Sequence, residues 1–175
     1  MDSSGAGHAI AEDLAPLALR LVAGFGFLAH GYAKLSRGPE TFAVVLHTLG
    51  VPAPHLMSWL TTLVELVGGL ALVVGAFVPI VSGPLAIVLV TALVTVHWRY
   101  GFFSVKLAEV DAHDVRFGTV GYEIILLYLA CLAALVLGGA GAWSVDAWLA
   151  MRRSSRRRGM ASRHVSGSAG VIDAS

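Results

Sequence analysis

A run of 23 residues from Leu56 to Val78 carries a single charged side chain, Glu65. About 20 apolar residues cross the hydrocarbon core of a bilayer, so this run reads as a membrane helix. Glu65 lies roughly 14 Å from its start at ~1.5 Å per residue, close to mid-membrane. A carboxylate at that depth costs about 2.5–3.5 kcal/mol on insertion scales, so it is expected to face protein rather than lipid. Thr61 and Thr62 precede it by three to four residues, and Gly68 and Gly69 follow by the same interval, which places all five on one helical stripe. The two hydroxyls suit a carboxyl, and the two glycines admit a neighbouring helix. The stripe fits a functional acid. It fits equally a packing face whose acid is satisfied by a basic side chain.

The rest of the chain has the same character. Only 13% of its 175 residues are charged and 57% are hydrophobic, where a soluble domain carries about 25% charged residues. That leaves room for four membrane helices and no separate soluble domain. Met1 to Asp13 is small, polar and acidic, which predicts a mobile tail and lacks the basic start of a signal peptide. Leu14 to Ala33 is the first membrane segment, with Pro16 in its first turn, Arg20 inside it, and His30, Gly31, Tyr32 and Lys34 at its end. His30 and Lys34, four apart, share a face; Lys34 reads either as a ligand contact or as an anchor snorkelling to the headgroups.

Pro39 to Leu49 repeats apolar residues at Phe42, Val45, Leu46 and Leu49, the pattern of a short interfacial helix that stops at Gly50. After the Glu65 segment (56–78), a third (81–98) ends in His97, Trp98, Arg99 and Tyr100, residues of an aromatic and basic membrane interface. Gly101 to Gly121 reads as a mixed polar loop. Its Asp111, His113 and Asp114 are metal-ligand types, but such residues in a solvated loop ordinarily hold no ion. The fourth segment (119–138) has Tyr122 and Glu123 at its mouth. Ser144 looks like the N-cap of a short helix ending near Arg152, and residues 151–175, rich in Ser, Arg and Gly, read as disordered. The single cysteine, Cys131, excludes an internal disulfide or thiol-pair chemistry within one chain.

The expected architecture is therefore all-α: an up-and-down bundle of four membrane helices over residues 14–150, with short interfacial helices. Six of the twelve Lys and Arg residues lie beyond Met151. The positive-inside rule then places both termini in the cytoplasm and the chain in the plasma membrane as a multi-pass protein. In that topology His30, His97 and Glu123 fall at one, extracytoplasmic, end of the bundle, with Glu65 below them. The spacing also predicts a buried ion pair between Arg20 and Glu65, whose axial gap is roughly 7 Å on a ~1.5 Å rise.

The segment-one ending His30-Gly31-Tyr32-Ala33-Lys34 resembles the H-G-x-x-K of the DoxX family. Glu65 followed by Gly68 and Gly69, His97 closing segment three, Gly101-Phe102-Phe103, Gly121-Tyr122-Glu123 and Trp143-Ser144-Val145-Asp146 are similar to it as well. The resemblance spans about residues 14–150 and rests on the order and spacing of these motifs together. It implies four membrane helices, kinship with the membrane subunits of thiosulfate:quinone oxidoreductase, and association with thiol-redox complexes.

Three function classes follow. The first is a redox-associated membrane subunit acting with quinone and a partner protein. Its candidate polar cluster is Glu65, His30, His97 and Glu123, with Lys34, Gly68, Gly69 and Tyr122 as candidate quinone contacts. The second is a small-solute or proton transporter along Arg20, Glu65 and the histidines. The third is a scaffold or assembly protein in which these residues only lock helices together. Expected partners are the lipid bilayer, a redox protein and a second copy of the chain, and no nucleic acid.

Overall fold

The computed structural model describes residues 3–110 and 114–154, with side chains for 14–109 and 114–154. Five helices are α1 (Ser3–Arg37), α2 (Pro39–Thr48), α3 (Pro54–Val74), α4 (Val78–Ala92) and α5 (Glu123–Gly138). A sixth, α6, covers 145–154. Between α4 and α5 an antiparallel hairpin pairs β1 (Leu107–Val110) with β2 (Val115–Phe117). α1 packs chiefly on α3, α3 on α4, α4 on α5, and α5 returns to α1, while α2 lies against α3. The result is the all-α, four-helix arrangement expected. Leu14–Arg37, Pro54–Val74 and Val78–Tyr100 are each long and apolar enough to cross a membrane. α5, with 16 residues, is shorter; at ~1.5 Å per residue it extends about 24 Å.

Van der Waals fit holds such a bundle together, because lipid is as apolar as leucine. α1 and α3 meet at Gly24 and Gly69, where a Cβ on Gly69 would lie 2.8 Å from the Gly24 carbonyl oxygen and one on Gly24 2.8 Å from that of Gly69. Gly68 faces the other way, onto Leu85 of α4. The buried stripe of α3 is Ser58, Thr62, Glu65, Gly68, Gly69 and Leu72, the face read from the sequence extended by a turn at each end. Around it Ala23, Phe27, Leu72, Val78, Leu85, Leu132 and Leu135 form the core.

Local signals set the helix ends. Gly75 adopts a left-handed conformation (φ 70°), and its N–H and that of Ala76 close α3 onto Leu72 and Ala71 at 3.0 and 2.8 Å. The Glu65 segment thus stops at Val74 rather than at Val78. Asp146, from the start of α6, accepts hydrogen bonds from Phe77 N (2.8 Å) and Val78 N (3.0 Å), capping α4 from a distant part of the chain. Ser144 caps α6 as expected, its Oγ accepting from Ala147 N at 3.1 Å.

Three other expectations change. α1 begins at Ser3, so residues 3–13 are helical rather than a loose tail, and Pro16 lies inside the helix rather than in its first turn. Extending a helix already nucleated in the membrane segment takes one hydrogen bond per residue added, and the Ala-, Ile- and Glu-containing stretch favours it. The loop 101–121 contains the hairpin, built on Leu107 and Val110 facing Phe117 and Val115. Residues 151–154 continue α6, and the expected disorder of the tail beyond them lies outside the described residues, as does most of the Asp111–Asp114 cluster.

Candidate functional site

α3 carries Glu65 to the inner face of the bundle, where the residue is 5% exposed. Its partner is Lys34, in the last turn of α1: Lys34 Nζ donates to Glu65 Oε2. The ammonium also lies over the Phe42 ring of α2, 5.1 Å from its centroid, so a carboxylate and an aromatic face share one cation. α2 is held there by Ser58 Oγ, which donates to the Pro39 carbonyl at 2.6 Å, and by the exposed His55–Glu40 pair at 2.5 Å. Thr62, expected to bond the carboxyl, instead donates to the Ser58 carbonyl at 2.8 Å, the usual choice of a hydroxyl inside a helix.

On its outer side Lys34 borders a groove of about 290 Å³ between α1 and α2. His30, Lys34 and Arg37 line one wall; Phe42, Val45 and Thr41 line the other. The basic residues stand at i, i+4 and i+7 on α1, one helical face. Sequence reading found His30 and Lys34 but missed Arg37, although the same spacing signals it. Phe42 was recognised as apolar, but its place over Lys34 depends on how α2 folds back.

The predicted Arg20–Glu65 pair does not form. The Arg20 guanidinium packs at Gly75, ten residues along α3 from Glu65, about 15 Å at ~1.5 Å per residue. Arg20 is 1% exposed and donates from Nη2 to the Trp143 carbonyl at 2.7 Å, fastening α1 to the segment before α6. The expected cluster also separates. His97 Nδ1 donates to the Val120 carbonyl at 2.9 Å, at the end of a π turn (Leu93–His97) that prolongs α4. Because Gly68 packs on Leu85, Glu65 is level with about residue 88 of α4, leaving His97 roughly 14 Å farther along. Glu123 accepts from Ser104 N at 3.1 Å, while Ser104 Oγ accepts from Ile124 N at 3.3 Å, a reciprocal bond that ties the loop to α5. Tyr122 stacks on Trp98, 5.6 Å between centroids, and meets Phe102 edge-on. Gly68 and Gly69 touch helices on both sides and leave no space for a ligand. Of the sequence candidates, the structure pairs Lys34 with Glu65 and sets His30 beside Lys34 on the groove wall. Among the described residues no group of three or more His, Cys, Asp or Glu is placed to hold a metal ion.

Residues 15–98 match the DoxX family model, a region that runs from within α1 to the end of the π turn after α4 and contains the groove and the Lys34–Glu65 pair. This is a DoxX-family membrane protein. The match ends before the hairpin and α5, so the Ser104–Glu123 and Trp98–Tyr122 contacts lie beyond it or at its edge. No curated protein and no solved structure gives a significant match to this DoxX chain.

Proposed function

We propose that this chain is a redox-associated subunit of the plasma membrane, that the groove between α1 and α2 binds the head of a quinone, and that both termini lie in the cytoplasm. The observation that carries the reading is the composition of the groove. Three basic side chains face an aromatic and aliphatic wall, and a buried carboxylate stands behind the central lysine. A quinone ring is apolar with two carbonyl oxygens. Phe42 and Val45 suit the ring, and Lys34 or His30 can donate to a carbonyl.

Reduction of a quinone to its quinol takes two electrons and two protons. As electrons arrive, negative charge grows on the ring oxygens, where Lys34 and Arg37 stabilise it. Glu65 orients Lys34 through the ion pair, so that Lys34 and His30 can donate hydrogen bonds to the ring oxygens while the two protons come from water in the open groove. Cys131 has no second thiol in the chain, so the electrons come from a reduced partner protein. The exposed side of α2 leaves the groove open to such a partner.

The test is equilibrium binding of decylubiquinone to the purified full-length chain in mild detergent. Saturable binding is expected, weakened by about tenfold in Phe42→Ala, which removes the ring contact, and lost in Lys34→Met with Arg37→Met. Absence of saturable binding to the wild type, or binding indifferent to both changes, rejects the quinone site. A protein that then remains well folded fits a scaffold.

A further inference from the structure

The opposite end of the molecule carries a second cleft, of about 350 Å³, between the start of α4 and α6. Phe77, Pro79, Ile80 and Leu149 give it apolar walls, and Arg153 stands at its edge. Asp146 also borders the cleft, but its carboxylate is turned to the Phe77 and Val78 N–H groups and its charge is balanced by the buried Arg20 guanidinium, so Arg153 is the cation left to a ligand. Beside the cleft, Arg152 lies over Trp148, 3.7 Å from the ring centroid, and Trp143 is 72% exposed. Trp beside Arg at the foot of a membrane helix marks headgroup depth. The sequence continues with Arg156, Arg157 and Arg158.

From the cleft an apolar track runs up the outer face of α4 to the start of the π turn that prolongs it. Ile80, Ile87 and Val94 are 70%, 68% and 66% exposed and seven residues apart. Residues at that interval drift only about 20° around a helix, so the three form one stripe. The cleft therefore joins a cation at headgroup level to a lipid-facing stripe that begins at the same place.

We propose that this cleft is a binding site for an anionic glycerophospholipid. Its phosphate pairs with the Arg153 guanidinium, whose planar fork matches phosphate oxygens. Trp143 and Trp148 lie among the headgroups, and one acyl chain follows Ile80, Ile87 and Val94. Arginine clusters next to a membrane helix recruit anionic lipid in general. Here the apolar walls and the stripe add a specific seat. The site is independent of the quinone groove, which lies at the other end of the bundle.

The experiment uses the purified full-length chain in mild detergent, given an equimolar mixture of phosphatidylglycerol and phosphatidylcholine, with retained lipid counted by native mass spectrometry. The wild type should retain phosphatidylglycerol in clear preference. Arg153→Gln should lower that preference about fivefold, the share expected of one surface arginine, with an unchanged thermal midpoint. Ile80→Ser with Ile87→Ser should reduce retention of both lipids, and millimolar inorganic phosphate should displace neither. Equal retention of the two lipids by the wild type overturns the proposal. So does an Arg153→Gln variant that behaves as wild type while replacing Arg156, Arg157 and Arg158 by Gln abolishes the preference, since the tail alone would then hold the lipid. Displacement by inorganic phosphate overturns it too, because the chain track would contribute nothing.

Discussion

Lys34 and Glu65 allow a quantitative test of how this bundle is held together. Removing one partner of a fully buried pair costs about 3–5 kcal/mol, because a charge is left without compensation. The two ends here are unequal: the Lys34 side chain is 19% exposed beside the groove, that of Glu65 only 6%. Lys34→Leu strands a carboxylate that has no route to water, so its cost should fall near ~3 kcal/mol. Glu65→Leu frees an ammonium that can turn into the groove and stay over Phe42, which lowers the cost to about 1–2 kcal/mol. The double variant Lys34→Leu/Glu65→Leu leaves no charge behind and should recover much of the loss, giving a coupling of about 2 kcal/mol. Thermal unfolding in mild detergent, read as the loss of monodisperse protein, measures all four corners of the cycle. A parallel cycle with Arg20→Leu and Glu65→Leu should be additive within ~0.5 kcal/mol, since residues more than about 10 Å apart rarely couple. Additive losses for Lys34 and Glu65, or coupling of Glu65 to Arg20 instead, would refute the pairing and the helix register behind it.

Two further outcomes follow from the packing. Asp146→Ala removes the acceptor of two backbone N–H groups at the start of α4 and should cost about 1–2 kcal/mol, with proteolysis around Phe77 rising first. Gly69→Val should prevent α1 and α3 from meeting and cost upwards of ~3 kcal/mol or abolish expression, whereas Gly83→Ala, with open space around it inside α4, should be neutral or slightly stabilising when both are compared by thermal unfolding.

Much of this was legible along the chain. A bilayer forces each backbone to close its hydrogen bonds within its own segment, so whether a stretch becomes a membrane helix is largely a local matter. The long apolar runs, the short helix after Pro39, the Ser144 cap and the inward stripe around Glu65 are local in this sense, and the sequence sufficed for them. So was the sharing of one face by His30 and Lys34. The hairpin was hidden because Leu107–Val110 and Val115–Phe117 are short, lie among charged residues and show no clear alternation of apolar and polar side chains.

The tertiary structure alone decided which charges meet. The axial position of α1 relative to α3 depends on where two backbones can approach, and Gly24 against Gly69 sets it. It also depends on α3 starting at Pro54 and ending at Val74, two residues before and four before the ends read from hydrophobicity. Each residue of shift moves a side chain by ~1.5 Å along the axis and ~100° around it, so small errors at the ends exchange one partner for another. That is why the sequence determined that Glu65 is buried and needs a cation, while only the packed helices decided that the cation is Lys34 and that Arg20 serves the other end.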